Sequence, residues 1–476
     1  MLVGALFMIL PMLVGFCYGE YNILAYLVPI SVLFVLGFPC SLIKPKEKTI
    51  YAKEGFVIVA FCWIILSLVG ALPFVISGTI PNYVDALFET VSGFTTTGAT
   101  ILPAEVIDSL YQTNKGILFW RSLTHFIGGM GVLVFVLALF PNYGEGAMHV
   151  YRAEAPGPSA SKFVSKIKRT AIILYAIYSA MTVFLTILLL FSGIGLYDSV
   201  LTAFATAGTG GFTPHGASIA FYNSAYVEMV VALFMFLFGI NFNLYYFILI
   251  GTVTKIFKNE EFRAYLIIIL VAIVIITLNI LNITANFMEA LRYSVFQVTS
   301  ITSTTGFITA DYGAWPALSQ TVILFLMVIG ACGGSTGGGV KVSRFLILFK
   351  SSASDVKKMV HPRAVLIKKL DGEIITPETE RNAKTFMILW IAIVFLSTFI
   401  LSFDTFASFD LFTHFSASLT CIGNVGPGFN FVGPVFDFSG YNVFSKCTMS
   451  MVMLFGRLEI FPILILLSPK TWRKNN

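Results

Sequence analysis

Apolar runs long enough to cross a bilayer, about 20 residues each, recur along the whole chain. They fall at roughly 1–17, 22–41, 54–77, 116–141, 168–193, 224–253, 263–284, 318–350, 384–403 and 443–468. This recurrence leaves few folds open. Of the 476 residues, 57% are hydrophobic and 11% charged, and the mean hydropathy is +0.87, whereas a soluble domain carries about a quarter charged residues. No water-soluble fold could cover so much apolar surface, so the excess faces lipid. The first run, Leu2 to Cys17, has no basic leader and no small-residue cleavage site. It predicts a retained helix rather than a signal peptide.

The charge pattern orients the spans. Placing alternate connections on one side gathers 25 of the 30 Lys and Arg there, in segments around 44–53, 152–169, 255–263, 341–384 and 470–474. Only Lys115, Arg121, Arg292, Lys446 and Arg457 fall elsewhere. The positive-inside rule makes that side cytosolic, with both termini on it. The net charge of +6 therefore needs no nucleic-acid partner. Six scattered cysteines, Cys17, Cys40, Cys62, Cys332, Cys421 and Cys447, show no paired metal spacing and read as buried free thiols.

Four segments starting at Asp85, Asp198, Glu289 and Asp410 are too short to span and too apolar to be plain loops, and each runs into a Gly/Thr-rich stretch. With the first two helices set aside, one pattern recurs four times in the same chain direction: spanning helix, half-helix, Gly/Thr loop, spanning helix. Internal repetition of this kind defines architecture before any motif does. The predicted fold is an all-α integral membrane protein of four parallel pseudo-repeats around one pore. Its expected segments are 1–45 (two extra helices), 46–150, 151–258 and 259–350 (three pore units), 351–383 (a basic linker) and 384–476 (the fourth unit).

Aligning Gly98, Gly211, Gly306 and Gly426 superposes Thr96-Thr97-Gly98, Thr209-Gly210-Gly211, Thr304-Thr305-Gly306 and Asn424-Val425-Gly426. The acidic residue precedes each glycine by 13, 13, 17 and 16 positions. Non-helical backbone at membrane depth is tolerated only inside protein or along a water-filled path. Four such loops therefore imply a shared cavity. Glycine permits backbone that aims successive carbonyls at one axis, and a carbonyl ring can replace a cation's hydration shell. Acidic residues suit the positive N-terminal ends of the half-helices, leaving the negative ends toward the loops. No ring of Lys or Arg favours an anion. The competing reading, glycine and threonine easing close helix packing, fits one loop better than four matched ones.

These residues resemble the TrkH/KtrB superfamily of potassium transport proteins, in its TrkH-like branch. The likeness runs over essentially the whole chain. It includes Trp120-Arg121, His125 through Gly131, Gly239 through Asn243 and Gly330 through Gly339. Glycine at the aligned position of every unit implies potassium as the transported ion, with rubidium tolerated and no organic cofactor. Serine in the first unit goes with sodium permeation in that family. The resemblance also implies a homodimer in the plasma membrane of a prokaryote (the inner membrane if Gram-negative). It further implies a cytosolic TrkA-like ring of nucleotide-binding regulatory subunits. The basic segments 142–167 and 351–383 offer a docking surface for such a partner, or a contact for anionic lipid.

Six glycines among the ten residues Gly330-Ala331-Cys332-Gly333-Gly334-Ser335-Thr336-Gly337-Gly338-Gly339 cannot hold a stable helix. The stretch interrupts the span at 318–350 and reads as a flexible barrier below the filter, or else as a kinked packing helix; the resemblance implies an intramembrane gating loop. Val340 between Gly339 and Lys341 spoils any phosphate-binding pattern. Arg457 is an intramembrane charge, functional or paired by default. The resemblance places it in the pore beside that loop, while a structural pair with Glu459 or another carboxylate is the alternative, and both can hold together. Arg121 and Lys446 are expected to snorkel at the outer ends of their helices, and Arg292 to balance Glu289. His125, His215 and His414 read as satisfied polar residues, and no catalytic constellation supports an enzyme. A secondary transporter coupling potassium to sodium or protons remains the alternative. Its usual signs are inverted repeats and paired broken helices. The repeats here are parallel, and only one long helix reads as broken.

Overall fold

The computed structural model describes residues 1–42, 52–131, 167–249, 251–364, 366–404 and 409–472. Among these the fold is helical, apart from one two-stranded hairpin, Lys369–Leu370 with Glu373–Ile374. The basic segments expected at 44–48 and 142–166 lie outside the described residues.

Four short helices form the centre: Tyr83–Phe94, Leu196–Gly208, Phe287–Thr302 and Leu411–Gly423. They run 12, 13, 16 and 13 residues, and at 1.5 Å per residue none can cross about 30 Å of hydrocarbon. Three begin at a side-chain cap, with Asn82, Asn286 and Asp410 accepting from Val84, Glu289 and Thr413 N–H groups. Asp85, Asp198 and Glu289 lie in first turns and Asp410 at the N-cap, as the positive helix end favours.

Each short helix also packs on the helix that closes the preceding unit. Leu196–Gly208 lies on Lys115–Gly129, Phe287–Thr302 on Ala225–Phe238, and Leu411–Gly423 on Ala317–Ile329. Tyr83–Phe94 lies on Val443–Arg457 and closes the circle. A cyclic order of this kind requires all four units to surround one axis.

The spans are less uniform than the hydropathy pattern predicts. Among the described residues, five helices are long and apolar enough to cross alone. The expectation of a single broken helix is overturned. The run at 224–253 is two helices, Ala225–Phe238 and Phe242–Leu249, bent by 91°. The run at 318–350 is Ala317–Ile329 and Val342–Val360, and that at 443–468 is Val443–Arg457 and Phe461–Leu467. The backbone groups freed at the first break are satisfied by the glycine-rich stretch. Cys332 N–H donates to Gly239 O at 3.1 Å, and Phe242 N–H donates to Gly334 O at 2.9 Å. At the last break Pro462 has no N–H to continue the helix, and Glu459 and Ile460 take φ of 55° and 67°.

Between Val342–Val360 and Pro377–Leu401 the linker is ordered by ion pairs. Lys368 donates to Glu380 at 2.9 Å and Asp355 at 3.3 Å, and these bonds hold its ammonium above the usual lysine range. All six cysteines are free, but Cys17, Cys40 and Cys447 are exposed rather than buried. They lie on helices whose outward faces are apolar.

A candidate cation pathway through four glycine loops

The four loops share one backbone path. Thr96, Thr209, Thr304 and Asn424 each end a short helix in the left-handed region, at φ of 53°, 54°, 59° and 52°. Two residues later Gly98, Gly211, Gly306 and Gly426 are left-handed again, at 80°, 83°, 77° and 105°. The N–H between them returns to its own helix in every unit. Thr97 donates to Ser92 O (2.9 Å), Gly210 to Ala205 O (2.9 Å), Thr305 to Ser300 O (2.8 Å) and Val425 to Thr420 O (3.0 Å).

The four glycines interlock with the carbonyls of the next unit. A β-carbon on Gly98 would lie 2.0 Å from Gly210 O, on Gly211 2.2 Å from Thr305 O, and on Gly306 2.1 Å from Val425 O. One on Gly426 would lie 2.8 Å from Thr97 O, which completes the circuit. The oxygens of Thr97, Gly210, Thr305 and Val425 thus form a closed ring that admits no side chain at the glycines. On the side of the residues that follow the loops, a cavity of about 110 Å³ is lined by all four glycines.

Buried polar groups brace this ring from behind. Arg121 does not snorkel: it is 2% exposed and donates to Glu89 at 2.6 Å and to Thr213 O at 3.2 Å. Its guanidinium also lies over the Phe212 ring, 3.6 Å from the centroid. Glu89 in turn accepts from Thr100 Oγ1 (2.9 Å) and from Ile101 N–H (3.0 Å). Breaking a buried pair by removing one partner costs roughly 3–5 kcal/mol. Arg121→Ala is therefore expected to lower unfolding stability in detergent by about that amount, with Arg121→Lys restoring little because the forked contacts are lost. His125 joins loops one and two: its Nδ1 bonds Gly93 O at 2.8 Å, and its Nε2 accepts from Phe212 N–H at 3.2 Å. His215 pairs with Asp198 at 3.0 Å and His414 with the Tyr441 hydroxyl at 3.2 Å. Lys446 is likewise buried against Asp85 at 2.7 Å. Arg292 pairs with Glu228 at 3.3 Å rather than with Glu289.

The stretch Gly330–Gly339 lies under the ring. Gly330, Gly334 and Gly339 are left-handed, at φ of 70°, 74° and 76°. Gly338 N–H donates to Thr304 Oγ1 at 2.6 Å and Gly339 N–H to Gly423 O at 2.9 Å. A β-carbon on Gly337 would meet Ser303 O at 2.7 Å. This packs the loop onto the inner ends of the third and fourth short helices. Gly333 N–H is held by Glu261 at 2.6 Å. The Ser335 hydroxyl donates to Cys332 O at 2.6 Å and that of Thr336 to Phe238 O at 3.2 Å.

Arg457 joins this loop to the opposite side. It donates to Thr336 O at 2.8 Å, to Gly129 O at 2.6 Å and to Gly128 O. Gly128 and Gly129 pack beneath the ends of the first two short helices, against Phe94 O and Gly208 Cα. One guanidinium therefore bridges the inner side of the ring from units three and four to units one and two. Of the alternative carboxylate partners, Glu459 pairs instead with Arg344, accepting from it at 2.5 Å. Lys341, 2% exposed, donates its ammonium to Gly337 O. Lys341 and Arg344 were counted among the cytosolic basic residues by charge pattern alone, yet both are buried below the ring. Glu261, 5% exposed, lies just ahead of the expected span at 263–284 and carries no expected role. Its signal was available, as an acid placed at the start of an apolar run.

Four parallel units, a closed ring of carbonyls between them and a glycine-rich loop beneath it bridged by Arg457 belong to a helical, multi-pass membrane transport protein. Residues 22–474 match the TrkH family, described as cation transport protein, and the chain belongs to that family. It is 36% identical over 474 residues to the Trk system potassium uptake protein TrkH of Escherichia coli (strain K12), covering 98% of this chain and 96% of that one. It is 33% identical to the Trk system potassium uptake protein TrkG of the same strain, over the same shares. Among solved structures, the potassium transporter TrkH from Vibrio parahaemolyticus superposes with a TM-score of 0.86 at 31% identity, covering 99% of this chain and 98% of that one.

Proposed function

We propose that this chain takes up potassium by channel-like conduction through the ring of Thr97, Gly210, Thr305 and Val425 carbonyls. In this reading Thr96–Gly98, Thr209–Gly211, Thr304–Gly306 and Asn424–Gly426 form the selectivity filter, and Gly330–Gly339 with Arg457 forms the gate beneath it. The carrying observation is the fourfold left-handed pair interlocked glycine to carbonyl around a full circle. Eight residues in strained or glycine-only backbone are hard to explain as packing alone, because left-handed backbone is costly for Thr and Asn. Potassium is supported by the family resemblance, in which glycine in all four loops goes with potassium, and by the relatives, which are potassium uptake proteins. These names fit a transport protein and not an enzyme.

The three broken helices remove one argument against a rocking transporter, so the coupled alternative turns on flux alone. In potassium-loaded liposomes with no sodium or proton gradient, the purified protein is expected to take up radioactive rubidium. External potassium should block that uptake, and sodium should not. Uptake that needs a sodium or proton gradient would contradict conduction and favour symport. The same reading gives a homodimer in the bacterial inner membrane, with the basic segments facing the cytosol and a nucleotide-binding regulatory subunit. Its support is the asymmetry of positive charge and the family resemblance.

A further inference from the structure

We infer that the hairpin at 369–374 is a latch that holds the intramembrane loop shut through the adjacent pair Glu260 and Glu261. The inference rests on the gating role proposed above for Gly330–Gly339 and extends it to residues outside the pathway.

Glu261 ties the loop to the helix that follows it. One oxygen of its carboxylate accepts from Gly333 N–H at 2.6 Å and from Ser343 N–H at 3.0 Å. Gly333 lies inside the glycine-rich stretch and Ser343 just beyond it, so one side chain fixes the loop against the start of the helix Val342–Val360. Glu261 is the second residue of the helix Glu260–Ile280, in the turn where N–H groups have no partner within the helix.

That turn is capped from a distance. Asp371, at the tip of the hairpin, accepts from Glu260 N–H at 2.6 Å and from the Asn259 side-chain amide at 2.6 Å. Glu260 reciprocates by accepting from Asp371 N–H at 3.1 Å. Lys350, on the helix that follows the glycine-rich stretch, donates to Glu260 and to Lys369 O at 2.7 Å. The tip is a tight Asp-Gly turn, with Asp371 and Gly372 left-handed at φ of 52° and 81°, the residue pair such two-residue turns prefer. A carboxylate at a helix N-terminus is favoured by the exposed amides and the helix dipole.

Undocking the hairpin would leave the first turn with only its local cap, Asn259 Oδ1 accepting from Phe262 N–H at 2.8 Å, and loosen it. Glu261 moves with that turn, and the amides of Gly333 and Ser343 lose their common acceptor. Glu261 is then a positioning residue: it touches no ion and acts through the loop. Any cytosolic partner that pulls on the hairpin gains a lever on the loop through the neighbours Glu260 and Glu261.

The test uses protein in liposomes with no partner added, in a background where Cys332 is the sole cysteine. Cys332 is buried in the glycine-rich stretch, so its reaction with a water-soluble thiol reagent reports loop opening independently of conduction. Asp371→Ala is expected to raise both the labelling rate and rubidium uptake by about tenfold, within the usual range of coupling between sites. Asn259→Ala breaks the same dock from the helix side and is expected to act alike, while Asp371→Asn, which keeps an acceptor for Glu260 N–H, restores most of the latch. Simple structural damage would lower uptake instead. Labelling that stays at the starting rate in both alanine variants would overturn the latch. Faster labelling with no rubidium uptake in any protein would leave the latch standing and sink the conduction reading.

Discussion

Gly306→Ala is expected to abolish rubidium uptake while the protein still inserts and purifies. Two costs coincide at this position. Its φ of 77° is one that a residue with a β-carbon adopts only at a cost of about 1–2 kcal/mol. The added methyl group would also sit 2.1 Å from Val425 O and 2.8 Å from Pro427 Cδ. Neither neighbour is the end of a flexible side chain, so the Val425 carbonyl must swing out of the ring. Misplacing one preorganised group by about 1 Å costs on the order of a hundredfold in function, and uptake should fall at least that far. Gly78→Ala is the matched control. It is also left-handed, at φ of 74°, but its β-carbon would meet nothing within 4 Å, so it bears strain without blocking the ring.

Arg457→Ala is expected to do the opposite and raise uptake in protein without a regulatory partner, by about tenfold or more. Its guanidinium ties Thr336 to Gly128 and Gly129 across the inner side of the ring. Removing it releases the loop on that side and takes a fixed positive charge from the path of a cation. An arginine at membrane depth costs about 2.5–3.5 kcal/mol, so its loss need not destabilise the fold, and unfolding in detergent should change little. Lower uptake with unchanged stability would contradict a gate. Arg457→Lys should fall between the two, because an ammonium keeps the charge but cannot bridge three carbonyls in a plane.

The four-unit plan was legible because lipid imposes long apolar runs and because the short acid-led segments recur between them. The glycine alignment could be drawn from the matching order of residues in the four loops, and Gly98, Gly211, Gly306 and Gly426 are all left-handed. Less legible was the left-handed residue two places earlier. Thr96, Thr209, Thr304 and Asn424 are ordinary in sequence, and only the helix ends show why a short polar side chain stands there. The fourth loop departs from the threonine pattern, yet Asn424 takes the same φ as its counterparts and bonds the Thr97 hydroxyl at 2.9 Å.

Charges were the weakest part of the reading. Lys341 and Arg344 sit between an apolar span and a basic linker, and nothing local distinguishes them from cytosolic lysines and arginines. The glycine-rich stretch folds back into the membrane and carries them with it. Arg121 and Lys446 were assigned to the surface on position along their helices. Their partners, Glu89 and Asp85, lie 32 and 361 residues away, and periodicity cannot see such pairings. The helix breaks at 239–241 and 458–460 had weak local signals, Gly239 and Pro462, that hydropathy averaging hides.

The most direct test of the carbonyl ring is the bi-ionic reversal potential between potassium and sodium across a planar bilayer, for the wild-type chain and for Gly98→Ser. Four matched glycines predict a wild-type potential set by potassium; a serine β-carbon at Gly98 would sit 2.0 Å from Gly210 O and push that carbonyl out of the ring, so the current that remains in the variant should be smaller and shifted toward sodium. Equal permeability in the wild-type chain, or a reversal potential untouched by Gly98→Ser, would mean that these four loops do not select the ion.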